Sequence, residues 1–219
     1  PLINRIGYTQ MYRFGSPPNY NPKPKESIEA MAKEKGVTAA ELAYDILIEN
    51  DGNNFIYAPL VNYADHTFGV CKKMLDDKNA IMGLGDGGAH VGFILDAGYP
   101  TWLISYWSVK KKAYSMEETV RRLTSDTANA AGLNDRGLLK VGLKADINII
   151  DWENVGSSDP FMTQDLPAGG KRLMQHTQGY VTTIVSGKVT YKNGEFTKER
   201  PGTVVKSVKD DEKTLEFTN

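Results

Sequence analysis

The chain has 219 residues, 40% of them hydrophobic, which is enough for a sizeable core in one domain or two small ones. Its 26 basic residues nearly balance 27 acidic ones, so the charge pattern predicts no nucleic acid or anionic membrane as a partner. The single cysteine, Cys71, excludes an internal disulfide and suits a reducing cytoplasm, the location that we predict. No apolar run reaches the ~20 residues that a membrane-spanning helix needs. Because Pro1 is not a natural initiator, we expect that the true N-terminus is missing.

The first 21 residues are dense in turn formers and predict a loop. Tyr8, Tyr12 and Tyr20 are interpreted as aromatics that cover this loop, although lining a pocket is the alternative use. Apolar spacing from residue 26 to 35 predicts a helix that ends at Gly36.

A capping box opens the second predicted helix, because Thr38 is followed three residues later by Glu41. This helix runs to about residue 50, and residues 55–58 then predict a buried strand stopped by a proline. In the loop that follows, we expect Asp65 or Asn62 to cap the next helix. A metal role for His66 is the less favoured alternative.

The central prediction concerns residues 80–84, an apolar run that indicates a buried strand after a helix at 68–78. Alternating helices and strands with short connections imply parallel strands and right-handed crossovers. Asp86 follows this run, at the strand end where parallel α/β folds place their chemistry. Glycines on both sides would let a ligand approach its carboxylate. An ordinary turn aspartate is the alternative.

Aromatic residues at 101–109 predict a helix in which Trp102 and Trp107 are more often core than substrate contacts. Ser115 caps a further helix that Gly132 closes. Alternation at 145–151 and 180–191, with an Asn-Gly turn at 193–194, then predicts β structure.

Three stretches carry a family resemblance. Residues 85–92 (GDGGAHVG) resemble the eighth-strand motif of the amidohydrolase superfamily, in the branch of the N-acyl-D-amino-acid deacylases, or D-aminoacylases. Residues 137–151 resemble the superfamily's return from its barrel into a small β-sandwich, and residues 165–172 (DLPAGGKR) resemble the D-aminoacylase branch specifically.

The resemblance implies an α/β fold: the C-terminal part of a TIM-type (β/α)8 barrel in residues 1–136, followed by part of a small β-sandwich in 137–219. A complete barrel takes roughly 250 residues, so the chain is expected to be the C-terminal portion of a longer enzyme. Residues 55–58 would be barrel strand seven. Lys171 and Arg172 are interpreted as parts of a loop between sandwich strands, and His176 as a sandwich residue.

The same resemblance implies a site. Asp86 would be both the catalytic acid–base and a ligand of Zn²⁺, with His90, Gly87 and Gly88 as substrate-binding residues. The family commonly has Ser or Thr where this chain has Gly85. The implied substrate is a small molecule, an N-acyl-D-amino acid, whose amide bond is hydrolysed.

The chain has no His-x-His, and its three histidines do not match the family's metal ligands, so we expect it to be inactive alone. One alternative is another amidohydrolase, such as a dihydropyrimidinase-like cyclic amide hydrolase. The other is a non-catalytic remnant or oligomerising module. Unpaired strands also predict self-association.

Overall fold

The computed structural model describes residues 6–83, 85 and 90–205, which form two compact units. The first unit takes its described residues from 6–80, 85–97 and 157–176, and the second takes them from 81–83, 98–156 and 177–205. These borders differ from the division at residues 136 and 137, which stays a prediction about the family's domains.

The first unit begins with a small antiparallel sheet. Strand β1 (Tyr12–Phe14) pairs with β2 (Phe55–Tyr57), and Tyr12 lies opposite Tyr57 in the register. The strand at 55–57 is therefore confirmed. The loop predicted for residues 1–21 is wrong at residues 12–14, because Tyr12 is only 1% exposed and belongs to the core.

Two helices lie between these strands and carry the core. Helix α1 (Ile28–Lys35) ends at Gly36 in the left-handed conformation, and α2 (Ala39–Gly52) begins at the predicted capping box of Thr38 and Glu41. The helical backbone of α2 already breaks at Glu49. The core cluster consists of one residue before β1 and the facing sides of both helices: Met11, Ile28, Ala32, Leu42, Ala43 and Ile46.

Helix α3 (Gly69–Asp76) confirms the predicted helix, but the predicted cap is wrong. Phe68 is the N-cap residue, and the Asp65 carboxylate instead accepts hydrogen bonds from the backbone N–H and hydroxyl of Thr67, in a turn that ends before the helix.

The predicted strand at 80–84 is also not observed in its described part. Residues 80–83 belong to no strand, and Ile81 is 51% exposed. An apolar run becomes a strand only when a neighbouring strand satisfies its backbone groups, and the described residues provide none here.

The remaining elements of the first unit form a hairpin. Strand β5 (Phe161–Leu166) pairs antiparallel with β6 (Gly170–Met174), and a 3-10 turn at Pro167–Gly169 joins them. The segment 165–172 thus links two strands, as expected, although their sheet is separate from the larger one in the second unit.

The second unit begins with helices. Helix α4 (Tyr99–Trp102) continues as a π-helix (Leu103–Lys110), which confirms the predicted aromatic helix. The helix predicted from Ser115 to Gly132 is two helices, α5 (Met116–Leu123) and α6 (Ser125–Ala130), because the backbone leaves the helical region at Thr124.

A four-stranded antiparallel sheet follows in this unit. The predicted stretch 180–191 splits at Ser186 and Gly187, whose φ angles of 50° and 78° make a tight turn. The Asn193–Gly194 hairpin is confirmed, with φ angles of 50° and 83°. The strands of this sheet are β3 (Ile147–Ile150), β8 (Tyr180–Val185), β9 (Lys188–Lys192) and β10 (Glu195–Phe196), in the spatial order β10-β9-β8-β3. Two short strands, β4 (Gly156–Ser157) and β7 (Thr177–Gln178), complete the β structure of the described residues.

The mixture of helices and strands agrees with the predicted class, but the parallel pairing predicted for residues 1–136 is not seen at β1–β2, the strand pair described there. The β1–β2, β5–β6 and β3–β8–β9–β10 pairings are all antiparallel, and the described residues close no barrel. A chain of 219 residues is shorter than the roughly 250 that a complete barrel takes. Within the described ranges, no helix has the length and apolar character to cross a bilayer.

Candidate functional site

Only part of the predicted site lies within the described residues. Asp86, Gly87 and Gly88 lie outside the described residues, so their roles stay predictions. The structure does describe Gly85 on one side and the segment 90–97 on the other. These two flanks therefore show what surrounds the predicted site.

Gly85 lies directly against Asp96. A Cβ added to Gly85 would stand 2.9 Å from both the backbone oxygen and the carboxylate Oδ1 of Asp96. Real Cβ atoms do not approach that closely, so the Ser or Thr common in the family cannot be placed here without moving Asp96. The glycine at this position is therefore explained by a neighbour eleven residues later in the chain.

Asp96 was not among the predicted site residues, although it carries a carboxylate beside the residue that precedes Asp86. A signal was present in the sequence, because Asp96 interrupts an otherwise uncharged run at 91–97. Periodicity gave no reason to connect it to Gly85.

His90 stands on an exposed turn. Its carbonyl oxygen accepts hydrogen bonds from the N–H groups of Phe93 and Ile94, both at 3.0 Å. Its φ angle is 51°, and its imidazole centroid lies 5.2 Å from the ring of Phe93. The imidazole is open to solvent, so it is accessible to a ligand from outside the chain.

The hairpin β5–β6 contacts this turn. The backbone N–H of Leu173 donates to the carbonyl of Val91 at 2.7 Å, one residue after His90. Next to Leu173, Arg172 makes a two-pronged ion pair with Asp165, with Nε–Oδ1 and Nη2–Oδ2 distances of 2.7 and 2.6 Å. The structure thus brings two of the three resemblance-bearing segments together.

Electrostatics in the hairpin follow from that pair. The hydrogen bond from the Arg172 guanidinium, ahead of its charge, lowers the pKa of the Asp165 carboxyl. The same contact raises the pKa of Arg172. The side chains of Asp165 and Arg172 are thus engaged with each other.

A second group of polar residues gathers after β2. The Tyr12 hydroxyl and His66 Nδ1 share a hydrogen bond, and Tyr63 donates from its hydroxyl to Asn21 Oδ1 and to the Pro22 carbonyl. Burial, ahead of the neighbouring tyrosines and Cys71, raises the pKa of Tyr57. His66 is thus held by the phenol of Tyr12.

Cys71 and the tryptophans behave as packing residues. The Cys71 thiol is half-buried, 3.6 Å from the Asn62 carbonyl, and burial raises its pKa, which keeps it protonated. Trp107 is 8% exposed, as expected for a core residue. Trp102 stacks on Tyr106 with ring centroids 4.3 Å apart and planes 9° apart.

A catalytic zinc site needs about three donor side chains close together. Across residues 6–83, 85 and 90–205, no three His, Cys, Asp or Glu side chains are grouped so that they could hold an ion. The described residues therefore do not fit a metal centre by themselves.

Comparison with known proteins gives the family. The model of the amidohydrolase family matches residues 7–191. An uncharacterized protein of Mycobacterium tuberculosis is 28% identical over 179 residues, which cover 78% of this chain and 29% of that protein. A dihydroorotase of Lactobacillus acidophilus is 33% identical over 89 residues, covering 39% of this chain and 20% of that protein.

Two solved structures of D-aminoacylase are also similar, each with a TM-score of 0.46 and 19% identity. Each match covers 86% of this chain and 36% of the solved one. The chain thus spans about three-tenths of the length of the mycobacterial relatives it matches. Since the family model spans both sides of the GDGGAHVG segment and most of the chain, the recognition from sequence is confirmed: the chain belongs to the amidohydrolase family.

Proposed function

We propose that this chain is the C-terminal part of a metal-dependent amidohydrolase that cleaves the amide bond of N-acyl-D-amino acids. The observation that carries the proposal is the family match over residues 7–191, which encloses the Asp86 motif. The D-aminoacylase-like segment 165–172 supports the finer substrate class. A small-molecule substrate and a cytoplasmic location are part of the proposal.

In this proposal, Asp86 takes a proton from the attacking water and returns it to the leaving amine. His90, on its exposed turn, would contact the substrate carboxylate, and Gly87 and Gly88 would allow close approach of the substrate. Zn²⁺ is the proposed cofactor and Asp86 its proposed ligand in this chain. The other ligands would come from a longer protein, because a catalytic zinc typically takes three protein ligands.

Two other functions are retained. A dihydropyrimidinase-like cyclic amide hydrolase is supported by the 89-residue match to a dihydroorotase. A non-catalytic or oligomerising module is supported by the absence of a metal-binding group among the described residues. The segment 165–172 favours the deacylase over the cyclic amide hydrolase, and the sequence upstream of the chain distinguishes it from the non-catalytic module.

The test begins with the reading frame that surrounds the chain. If it encodes a His-x-His segment upstream, the complete protein is assayed with N-acetyl-D-amino acids, their L-enantiomers and dihydrouracil. We expect hydrolysis of the D-substrates, lost on chelation and restored by Zn²⁺. Faster hydrolysis of dihydrouracil than of the D-substrates would instead identify a cyclic amide hydrolase.

Asp86→Asn then tests the proposed acid–base. It should lower kcat by about 10²–10⁴-fold, the usual range for such a group. Asp45→Asn is the matched control, because Asp45 is exposed on α2 and makes no described hydrogen bond. An Asp86→Asn protein as active as this control would refute the catalytic assignment.

A further inference from the structure

The hairpin β5–β6 reaches the predicted site at one backbone position. Strand β6 has β5 along one edge, and at its other edge the Leu173 N–H donates to the Val91 carbonyl at 2.7 Å. Val91 follows His90, whose own carbonyl is held by Phe93 and Ile94. The turn that carries His90 is therefore held by its own backbone hydrogen bonds and, at Val91, by a hydrogen bond from β6.

The Asp165–Arg172 pair lies beside Leu173, where the ladder of the hairpin becomes irregular. The ladder between the strands is regular from Phe161 to Thr163 and then shifts before Leu166. Asp165 lies within this irregular stretch, where ladder hydrogen bonds are displaced. The two parallel N–H···O contacts from Arg172 bridge the strands there, and such a fork fixes direction as well as distance.

The open end of the hairpin is anchored elsewhere in the same unit. Gln175 donates from Nε2 to the Tyr20 hydroxyl at 3.0 Å and to the Ser158 carbonyl at 2.6 Å. The hydroxyl of Ser16 donates to the carboxylate of Asp159. Because these contacts hold the open end of the hairpin, a shift of β6 against β5 near the turn would displace Leu173.

We propose that Arg172 is a positioning residue for the turn that carries His90. Its ion pair with Asp165 holds β6 against β5 next to Leu173, and the Leu173 N–H in turn holds the backbone that follows His90. The assignment rests on the proposed function for the role of His90, but the structural coupling from Arg172 to His90 does not depend on turnover. The segment that resembles the D-aminoacylase branch would thus act on the site without touching substrate.

The experiment uses the full 219-residue chain and nuclear magnetic resonance. The chain has three histidines, so it gives three imidazole Cε1–H signals, which His→Gln variants assign. Arg172→Met removes the guanidinium and keeps the aliphatic stem. Arg13→Met is the matched control, because Arg13 makes a similarly exposed pair with Glu49 in the same unit.

We expect Arg172→Met to speed amide exchange at Leu173 by about tenfold or more and to move the His90 signal, while His66 stays in place. Arg172→Lys should recover only part of the effect, because an ammonium cannot make the fork. Arg13→Met should leave both Leu173 and His90 unchanged. If Arg172→Met fails to fold, Asp165→Asn, which keeps the side-chain volume, is compared in the same way.

Three results would overturn the inference. Leu173 could keep its protection without Arg172; His90 could stay in place although Leu173 loses protection; or Arg13→Met could move His90 equally. None of these needs activity, so they are separate from failure of the deacylase proposal. In an active complete enzyme, displacing His90, the proposed contact of the substrate carboxylate, also predicts that Arg172→Met raises KM more than it lowers kcat, with partial recovery in Arg172→Lys.

Discussion

The hydroxyl of Tyr12 lies 2.5 Å from Nδ1 of His66, and this hydrogen bond ties strand β1 to the loop that follows β2. Tyr12 is 1% exposed, so its hydroxyl depends on a partner within the protein. We expect Tyr12→Phe to lower the free energy of unfolding by about 1 kcal/mol, because it removes a hydrogen bond without removing the ring. Urea denaturation measures this loss.

Tyr44→Phe is the control for this variant, since Tyr44 is 65% exposed on α2. A double-mutant cycle adds the decisive comparison: in a His66→Ala background, Tyr12→Phe should cost less than it does alone. An equal cost in both backgrounds would show that the two side chains are not coupled.

Alkaline pH should destabilise the first unit through its tyrosines. Burial is the first cause that raises the pKa of Tyr57, Tyr20 and Tyr12 above the ordinary value of 10.0. The unfolded chain therefore loses these protons at lower pH than the folded one. The buried tyrosines make their full contribution to the free energy of unfolding below pH 10.0. This free energy falls as the pH rises from there towards the folded-state pKa values.

Tyr57→Phe tests this pH dependence, because the shift is largest at Tyr57. We expect the variant to reduce the fall in unfolding free energy by up to about 1.4 kcal/mol per pH unit. Urea denaturation at about pH 8 and about pH 11 measures the slope. Tyr44→Phe should keep the original slope, and an unchanged slope in Tyr57→Phe would contradict the prediction.

Gly179, between β7 and β8, should tolerate no side chain. Its φ angle is 87°, and an added Cβ would lie 2.6 Å from the Cα of Val155. Gly187 has a similar φ of 78° but open space around it, so Gly187→Ala measures backbone strain alone. We expect about 1–2 kcal/mol for Gly187→Ala and more than about 3 kcal/mol for Gly179→Ala. Equal losses in thermal or urea unfolding would mean that the close approach has no consequence.

Self-association remains a proposal, and β3 offers a direct way to test it. This strand is at the edge of the four-stranded sheet, and Ile149 on it is 51% exposed. Edge strands pair with other chains unless charge or shape blocks them. We expect concentration-dependent association in sedimentation experiments, reduced by Ile149→Lys. Val141→Lys is the control, because Val141 is fully exposed outside any strand. Equal effects of both variants would indicate general hydrophobic association instead of edge pairing.

The features that sequence predicted well are local. The capping box of Thr38 and Glu41, the left-handed Gly36 and the Asn193–Gly194 turn each depend on residues within about four positions of one another. Their hydrogen bonds and φ preferences therefore operate wherever the segment finally packs. Family membership was also readable, since it rested on contiguous motifs that the family model confirms.

The features that sequence predicted poorly depend on distant partners. An apolar run such as 80–83 indicates burial or a strand, but it does not supply the neighbour that would pair with it, and Ile81 is exposed. The same limit applies to β2, whose apolar run predicted a strand and not its antiparallel partner β1. Its assignment as barrel strand seven stays a prediction.

The candidate site divides along the same line. Sequence by itself determined the family, the helix caps at Thr38 and Ser115 and the hairpin turn, and it predicted Asp86 and His90 as site residues. Only the tertiary structure decided that Asp96 occupies the space beside Gly85 and that Leu173 holds Val91, next to His90. The reason is physical: a side-chain clash between residues eleven positions apart, or a single backbone hydrogen bond between more distant segments, is set by how the chain packs and leaves no periodic trace along the chain.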